Sequence, residues 1–161
     1  MRRALVVAAV ATALGCATPA AFAASPVQHL SMSFDEPVSV MHVDGLGRGC
    51  PAFTGSLVEN RHLDISGWVR DDGAAHALTV VDASVALVPD DPGAVSYSGG
   101  YTAHQTGSFT AGGDDDRVVT TVTHGVISGT DGTSYRISEV AHLALDGNGG
   151  ARAWFDKFHC E

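Results

Sequence analysis

The sequence predicts an all-β fold: one domain of seven or eight antiparallel strands in a barrel-like meander, with a two-sheet β-sandwich as the alternative. Three observations predict it. Runs rich in Val, Ile, Thr and aromatic residues recur at regular spacing. Asp/Gly turn signals separate them, at Asp71-Asp72-Gly73, Asp90-Asp91-Pro92-Gly93, Asp131-Gly132 and Asp146-Gly147-Asn148-Gly149. No helical period occurs beyond the first 23 residues.

Those first residues read as a secretory signal peptide. Met1-Arg2-Arg3 is a basic start, Ala4 to Leu14 is an apolar run of 11 residues, and Ala21-Phe22-Ala23 is a small-x-small cleavage site. The run is too short for a bilayer, which needs about 20 apolar residues, and no other stretch is long or apolar enough. Residues 24–161 are then the single mature domain, secreted. The alternative is lipid anchoring through Cys16, because Leu14-Gly15-Cys16 has the look of a lipoprotein processing site.

Beyond the signal, 24–28 reads as a flexible lead. The first strand is placed at 38–43, and Gly45-Leu46-Gly47-Arg48-Gly49 is a loop. Segments 57–58 and 63–69 follow. The longest β-branched run, 78–88, stops at Pro89, which cannot donate to a ladder. Segment 97–110 is extended, with a bulge or turn expected at Gly99-Gly100. Strands at 117–128, 134–145 and 151–159 complete the chain.

All 18 acidic residues lie beyond residue 23, against seven basic ones once Arg2 and Arg3 are removed, for a net charge of −11 with His neutral. Such a surface disfavours nucleic acid and anionic membranes. Removing Cys16 leaves two cysteines, and in an oxidising compartment Cys50 and Cys160 read as one disulfide.

One hairpin carries a candidate site. A two-residue Asp131-Gly132 turn pairs residues summing to 263, which sets Val118, Thr120, Val122 and Val126 against Leu145, Leu143, Ala141 and Ile137 on one inward face. On that face His124 opposes Glu139; a four-residue loop keeps both inside as diagonal neighbours. In the next hairpin, an Asn148-Gly149 turn brings Trp154, Phe158 and Cys160 inward with Asp156 beside Glu139. A five-residue loop brings Phe155, Lys157 and His159 inward instead. The first is preferred because it buries the tryptophan and the disulfide cysteine.

His124, Glu139 and Trp154 are therefore the candidate ligand-binding residues. The leading functional reading is a non-enzymatic binding module for a small apolar or amphipathic ligand. A second is a cell-envelope structural or interaction protein with a filled core, in which His124 and Glu139 are a satisfied polar pair. The third is an enzyme using the two residues in acid–base chemistry. No Gly-x-Ser-x-Gly elbow is present, so no serine nucleophile is assigned. The eight histidines lack tight ligand spacing and the acidic turns lack an EF-hand pattern, so neither metal nor cofactor is expected, and His62, His104 and His142 read as surface residues. Nothing in the sequence specifies an oligomeric state.

Gly49-Cys50-Pro51-Ala52-Phe53, the Gly99-Gly100-Tyr101 strand and the closing Phe158-His159-Cys160 give the chain a resemblance in layout. It resembles the small uncharacterised secreted β-proteins of actinobacteria, which pair an early Cys-Pro with a C-terminal cysteine. The resemblance implies a secreted β-fold and transfers no catalytic residue.

Overall fold

The computed structural model describes residues 27–71, 73–109, 117–145 and 151–161. The segment read as a signal peptide, Cys16 and the expected Asn148-Gly149 turn lie outside these. The described chain is eight strands: β1 (Val27–Asp35), β2 (Ser39–Asp44), β3 (Thr54–Arg70), β4 (Ala75–Pro89), β5 (Tyr97–Phe109), β6 (Arg117–Gly129), β7 (Ser134–Leu145) and β8 (Ala151–Cys160). All pair antiparallel in one sheet, in the order β1-β3-β4-β5-β6-β7-β8, with β2 also on β3. The all-β meander expected from the sequence is present, as one sheet and not two.

Two elements differ from expectation. Residues 27–35 form a strand, where a flexible lead was expected in part. Its alternating Leu30, Met32 and Phe34 lie opposite Gly67, Ile65 and Leu63 of β3. Strand β3 runs unbroken for 17 residues, long enough to pair with β1 along its second half and with β2 along its first. The switch between them falls at Glu36-Pro37-Val38. There the Glu36 amide donates to the Arg61 carbonyl (2.9 Å), and the Arg61 guanidinium meets the Glu36 carboxylate at 2.7 Å. The expected bulge at Gly99-Gly100 is absent, and both glycines sit in continuous ladders.

Alternation sorts the side chains onto two faces. The inner face carries the apolar core, centred on Phe53, Val85, Leu87, Tyr97 and Ile127. Phe53 and Tyr135 both meet the Tyr97 ring edge-on, with centroids 6.4 and 6.0 Å away. Further along the strands the same face turns polar, with Thr79, Gln105, Thr121 and Thr123 all buried. The Gln105 amide donates to the Thr121 hydroxyl at 3.0 Å, which satisfies part of this layer.

The edge strands β1 and β8 are not joined by a ladder, so the sheet is not closed into a barrel. The segment after β2 bridges the ends instead. Arg48 pairs with His159, the Cys160 amide donates to the Arg48 carbonyl (3.0 Å), and a disulfide joins Cys50 to Cys160. Gly49 makes that approach possible. Its φ is 75°, and a Cβ there would lie 2.3 Å from the Cys160 carbonyl oxygen.

Candidate functional site

The three candidate residues do not form one constellation. Glu139 faces inward, opposite Thr123 and Phe158, and the Thr123 hydroxyl donates to its carboxylate at 3.0 Å. Trp154 shares that face in β8, opposite Leu143, yet remains 61% exposed. His124 lies on the outer face, between Thr102 of β5 and Ser138 of β7. The cause is the loop. Gly129 pairs with Thr133 around three residues, Thr130-Asp131-Gly132, with Gly132 at φ 84° and its amide donating to the Gly129 carbonyl. That is a turn followed by a left-handed residue, and it sets the register one residue away from a two-residue turn. Paired numbers sum to 262, so β6 presents its odd positions inward. The expected opposition of His124 and Glu139 is corrected: they occupy opposite faces and cannot act as an acid–base pair.

From Ile137 to Ala144 the second hairpin keeps the expected register, which shifts by one residue at Leu145. Phe158 opposes Glu139, Trp154 opposes Leu143, and Cys160 is buried. Asp156 faces Ala141, diagonal to Glu139, with one carboxylate oxygen buried and lacking a hydrogen-bond partner. The interior beside it is packed: Ala103 and Thr79 are each 1% exposed.

The concavity that holds His124 is on the outside. A groove of about 820 Å³ is lined by Thr102, His124, Arg136, Ser138, His159 and Glu161, over a floor at Gly100 and Gly125. Gly100, at an outward position, adds no side chain to that floor, and Gly125, at an inward position of β6, lets the β5 backbone approach closely. A Cβ on Gly125 would lie 2.6 Å from both the Gly100 carbonyl oxygen and the Tyr101 Cβ. Around the groove, the Thr102 hydroxyl donates to Asp82 (2.7 Å), and His159 Nε2 sits 3.3 Å from the Glu161 carboxylate. Backbone hydrogen bonds in both directions tie Arg136 to Glu161 (2.8 and 3.0 Å), but among the described residues the Arg136 guanidinium has no ion-pair partner.

A second groove of about 1000 Å³ adjoins it, between the 45–49 loop and β8. Arg48, Asp156, Lys157 and His159 line it, so His159 belongs to both. Sequence reasoning missed Arg136, Ser138, Arg48 and Lys157, because no spacing signal links residues that only the curl of the sheet brings together.

Two other polar clusters are structural. The Tyr101 hydroxyl donates to the buried Glu59 carboxylate (3.3 Å), which also accepts from Ser39 (3.5 Å). Burial, and then the Glu59 charge, push the Tyr101 phenol well above the ordinary tyrosine range. On the outer surface His62 lies 2.7 Å from Asp35 and 3.6 Å from Asp64. The hydrogen bond to Asp35 raises its pKa above 6.5. Among the described residues no group of three or more His, Cys, Asp or Glu is arranged to hold a metal ion, and His62, His104 and His142 stand on separate strands. No helix of the described residues is long and apolar enough to cross a membrane. No protein-family model, curated protein or solved structure matches the chain.

Proposed function

We propose that this is an exported, non-enzymatic binding module that takes a small ligand on the outer face, in the groove at His124. The observation that carries the reading is the groove itself. It is an indentation in a sheet surface, floored by glycines and ringed by an imidazole pair, a guanidinium, two hydroxyl side chains and the Glu161 carboxylate. Binding sites of this size with a few convergent polar groups are where small ligands are held. Export is supported by the signal-like start and is compatible with the Cys50–Cys160 disulfide. Glu139 and Trp154, on the inner face, belong to the filled core and its rim in this reading.

The test is amide NMR against a mixed library of small polar fragments. Saturable shifts confined to Gly100, Thr102, 124–126 and 136–138 are the expected result. Shifts centred on the Trp154 edge, or none, would overturn the reading. One observation favours the interaction-protein reading as second choice. Val118, Val126, Val140 and Phe155 are exposed on the outer face of β6–β8, as at a docking surface. A dimer in sedimentation that dissociates on Val140→Asp would establish it.

A further inference from the structure

The charge distribution around His159 narrows the ligand class. Within β5–β8 the acidic residues are Glu139 and Asp156 alone, and both face inward. The outer face of four consecutive strands thus carries no carboxylate, in a chain with 18 acidic residues. The basic residues do the reverse. Beyond residue 23 there are seven Lys and Arg, and three of them, Arg48, Arg136 and Lys157, line the two adjoining grooves. His124 lines the first groove and His159 lines both. By contrast Arg61, elsewhere on the sheet, is neutralised by Glu36 at 2.7 Å.

From this we infer that the paired grooves bind an anion, a small organic acid or phosphate ester, which spans from Arg136 and His124 across His159 to Arg48 and Lys157. The inference rests on the groove reading above and specifies its ligand. The chemistry is direct. A guanidinium offers a planar fork of donors to a carboxylate or phosphate, and an ammonium a point charge. The Ser138 hydroxyl lies between the two histidines in the register and supplies a neutral donor. The acidic neighbours that oppose binding are Asp82, which is engaged by Thr102, Glu161, beside His159, and Asp156, with its inward orientation in β8. Glu161 lines the first groove and Asp156 the second, alongside the donors. On a chain with twice as many acidic as basic residues, a face whose four strands carry no outward carboxylate before Glu161 is also where an anion meets less repulsion.

The experiment titrates the full mature chain with inorganic phosphate, benzoate, neutral benzamide and benzylamine, reading amide shifts and dissociation constants. Phosphate and benzoate are expected to shift Thr102, His124, Arg136 and His159. Affinity should fall as ionic strength rises from about 0.01 M to about 0.15 M and the screening length shrinks from roughly 30 Å to roughly 8 Å. Arg136→Gln and Lys157→Gln should each weaken benzoate by at least about five-fold, the scale of a solvent-exposed charge-assisted hydrogen bond. Neither should move the thermal midpoint. If benzamide or benzylamine binds the grooves as well as benzoate, the anion class is wrong while the groove reading survives. If no probe shifts the groove amides, both fail. If the anions act equally at Arg70 and Arg117, the inference fails too, because the effect is then general to basic residues.

Discussion

Removing the Cys50–Cys160 bridge is the perturbation whose size the structure fixes best. The bridge spans 110 residues of sequence. A cross-link of that span lowers the entropy of the unfolded chain by an amount worth about 4.8 kcal/mol at 25 °C in the loop-closure treatment. The folded state loses little beside it. Cys160 stays anchored through the ladder to Ile137, and its neighbour Glu161 exchanges two backbone hydrogen bonds with Arg136. Only the 45–50 segment is released from β8. The Cys50→Ala/Cys160→Ala protein should therefore remain folded and lose about 4–5 kcal/mol in urea unfolding, with a larger slope as its unfolded state expands. For a domain of about 135 residues that loss lowers the thermal midpoint by roughly 15 °C. Native-state hydrogen exchange should show β8 still protected. A loss below about 1 kcal/mol with an unchanged slope would refute the unfolded-state argument. Loss of β8 protection would refute it from the other side, by showing that the bridge holds the sheet itself.

Three further outcomes follow from single sites. Gly132→Ala and Gly49→Ala separate conformational strain from steric clash. Both glycines have positive φ, but a Cβ meets nothing within 4 Å at Gly132 and lies 2.3 Å from a carbonyl oxygen at Gly49. Denaturant unfolding should give about 1–2 kcal/mol for the first and clearly more for the second, and equal losses would show that the 45–50 segment yields freely. Tyr101→Phe removes the donor to buried Glu59 and should cost about 1–2 kcal/mol at neutral pH. Because the folded phenol titrates above its unfolded value, its contribution is present below about pH 10 and is lost as pH rises beyond it, so the variant should show a shallower alkaline decline in stability. His62 should titrate above 6.5 by NMR and move down in Asp35→Asn. Its raised pKa adds stability below the unfolded value and loses it as pH rises through the folded one, and an unchanged titration in Asp35→Asn would remove Asp35 as the cause.

Much of the fold was legible. The cysteine pair, the strand-rich pattern and the Asp/Gly punctuation are local signals, and the structure bears them out. The register of the second hairpin was legible too over most of its length, since Glu139 does oppose Phe158 as the expected Asn148-Gly149 turn implied. Strand β1 was hidden by its composition. Leu30, Met32 and Phe34 alternate correctly, but the polar His29, Ser31 and Ser33 between them masked the pattern, and the first strand was placed only at 38. The long β3 was hidden by Glu59, Asn60, Arg61 and His62, a polar run that resembles a loop. Two of these are accommodated on the inner face by tertiary partners, Glu59 by Tyr101 and Arg61 by Glu36, which no local pattern announces.

The site was misplaced for one reason, and β6 shows it. Its even positions include Val118, Val122 and Val126, and its odd positions include Thr121, Thr123 and Gly125. Composition favours burying the valines. The structure buries Val119, Thr121, Thr123 and Ile127 and leaves Val126 47% exposed. Two effects outweigh the valines. The buried hydroxyls are used, Thr121 accepting from Gln105 and Thr123 donating to Glu139. More decisively, the position opposite Tyr101 has no room for a Cβ, since one there would lie 2.6 Å from the Gly100 carbonyl oxygen. Gly125 alone among its neighbours fits, and a slip of one residue would force His124 or Val126 into that place. Backbone crowding, set by the glycines of two adjacent strands, therefore fixes the parity of β6, and the three-residue loop joins it to β7 in that register. The same parity that fills the interior turns His124 outward, beside Ser138 and into the groove with Arg136 and His159. The packing of the core and the position of the candidate site are two consequences of a single register.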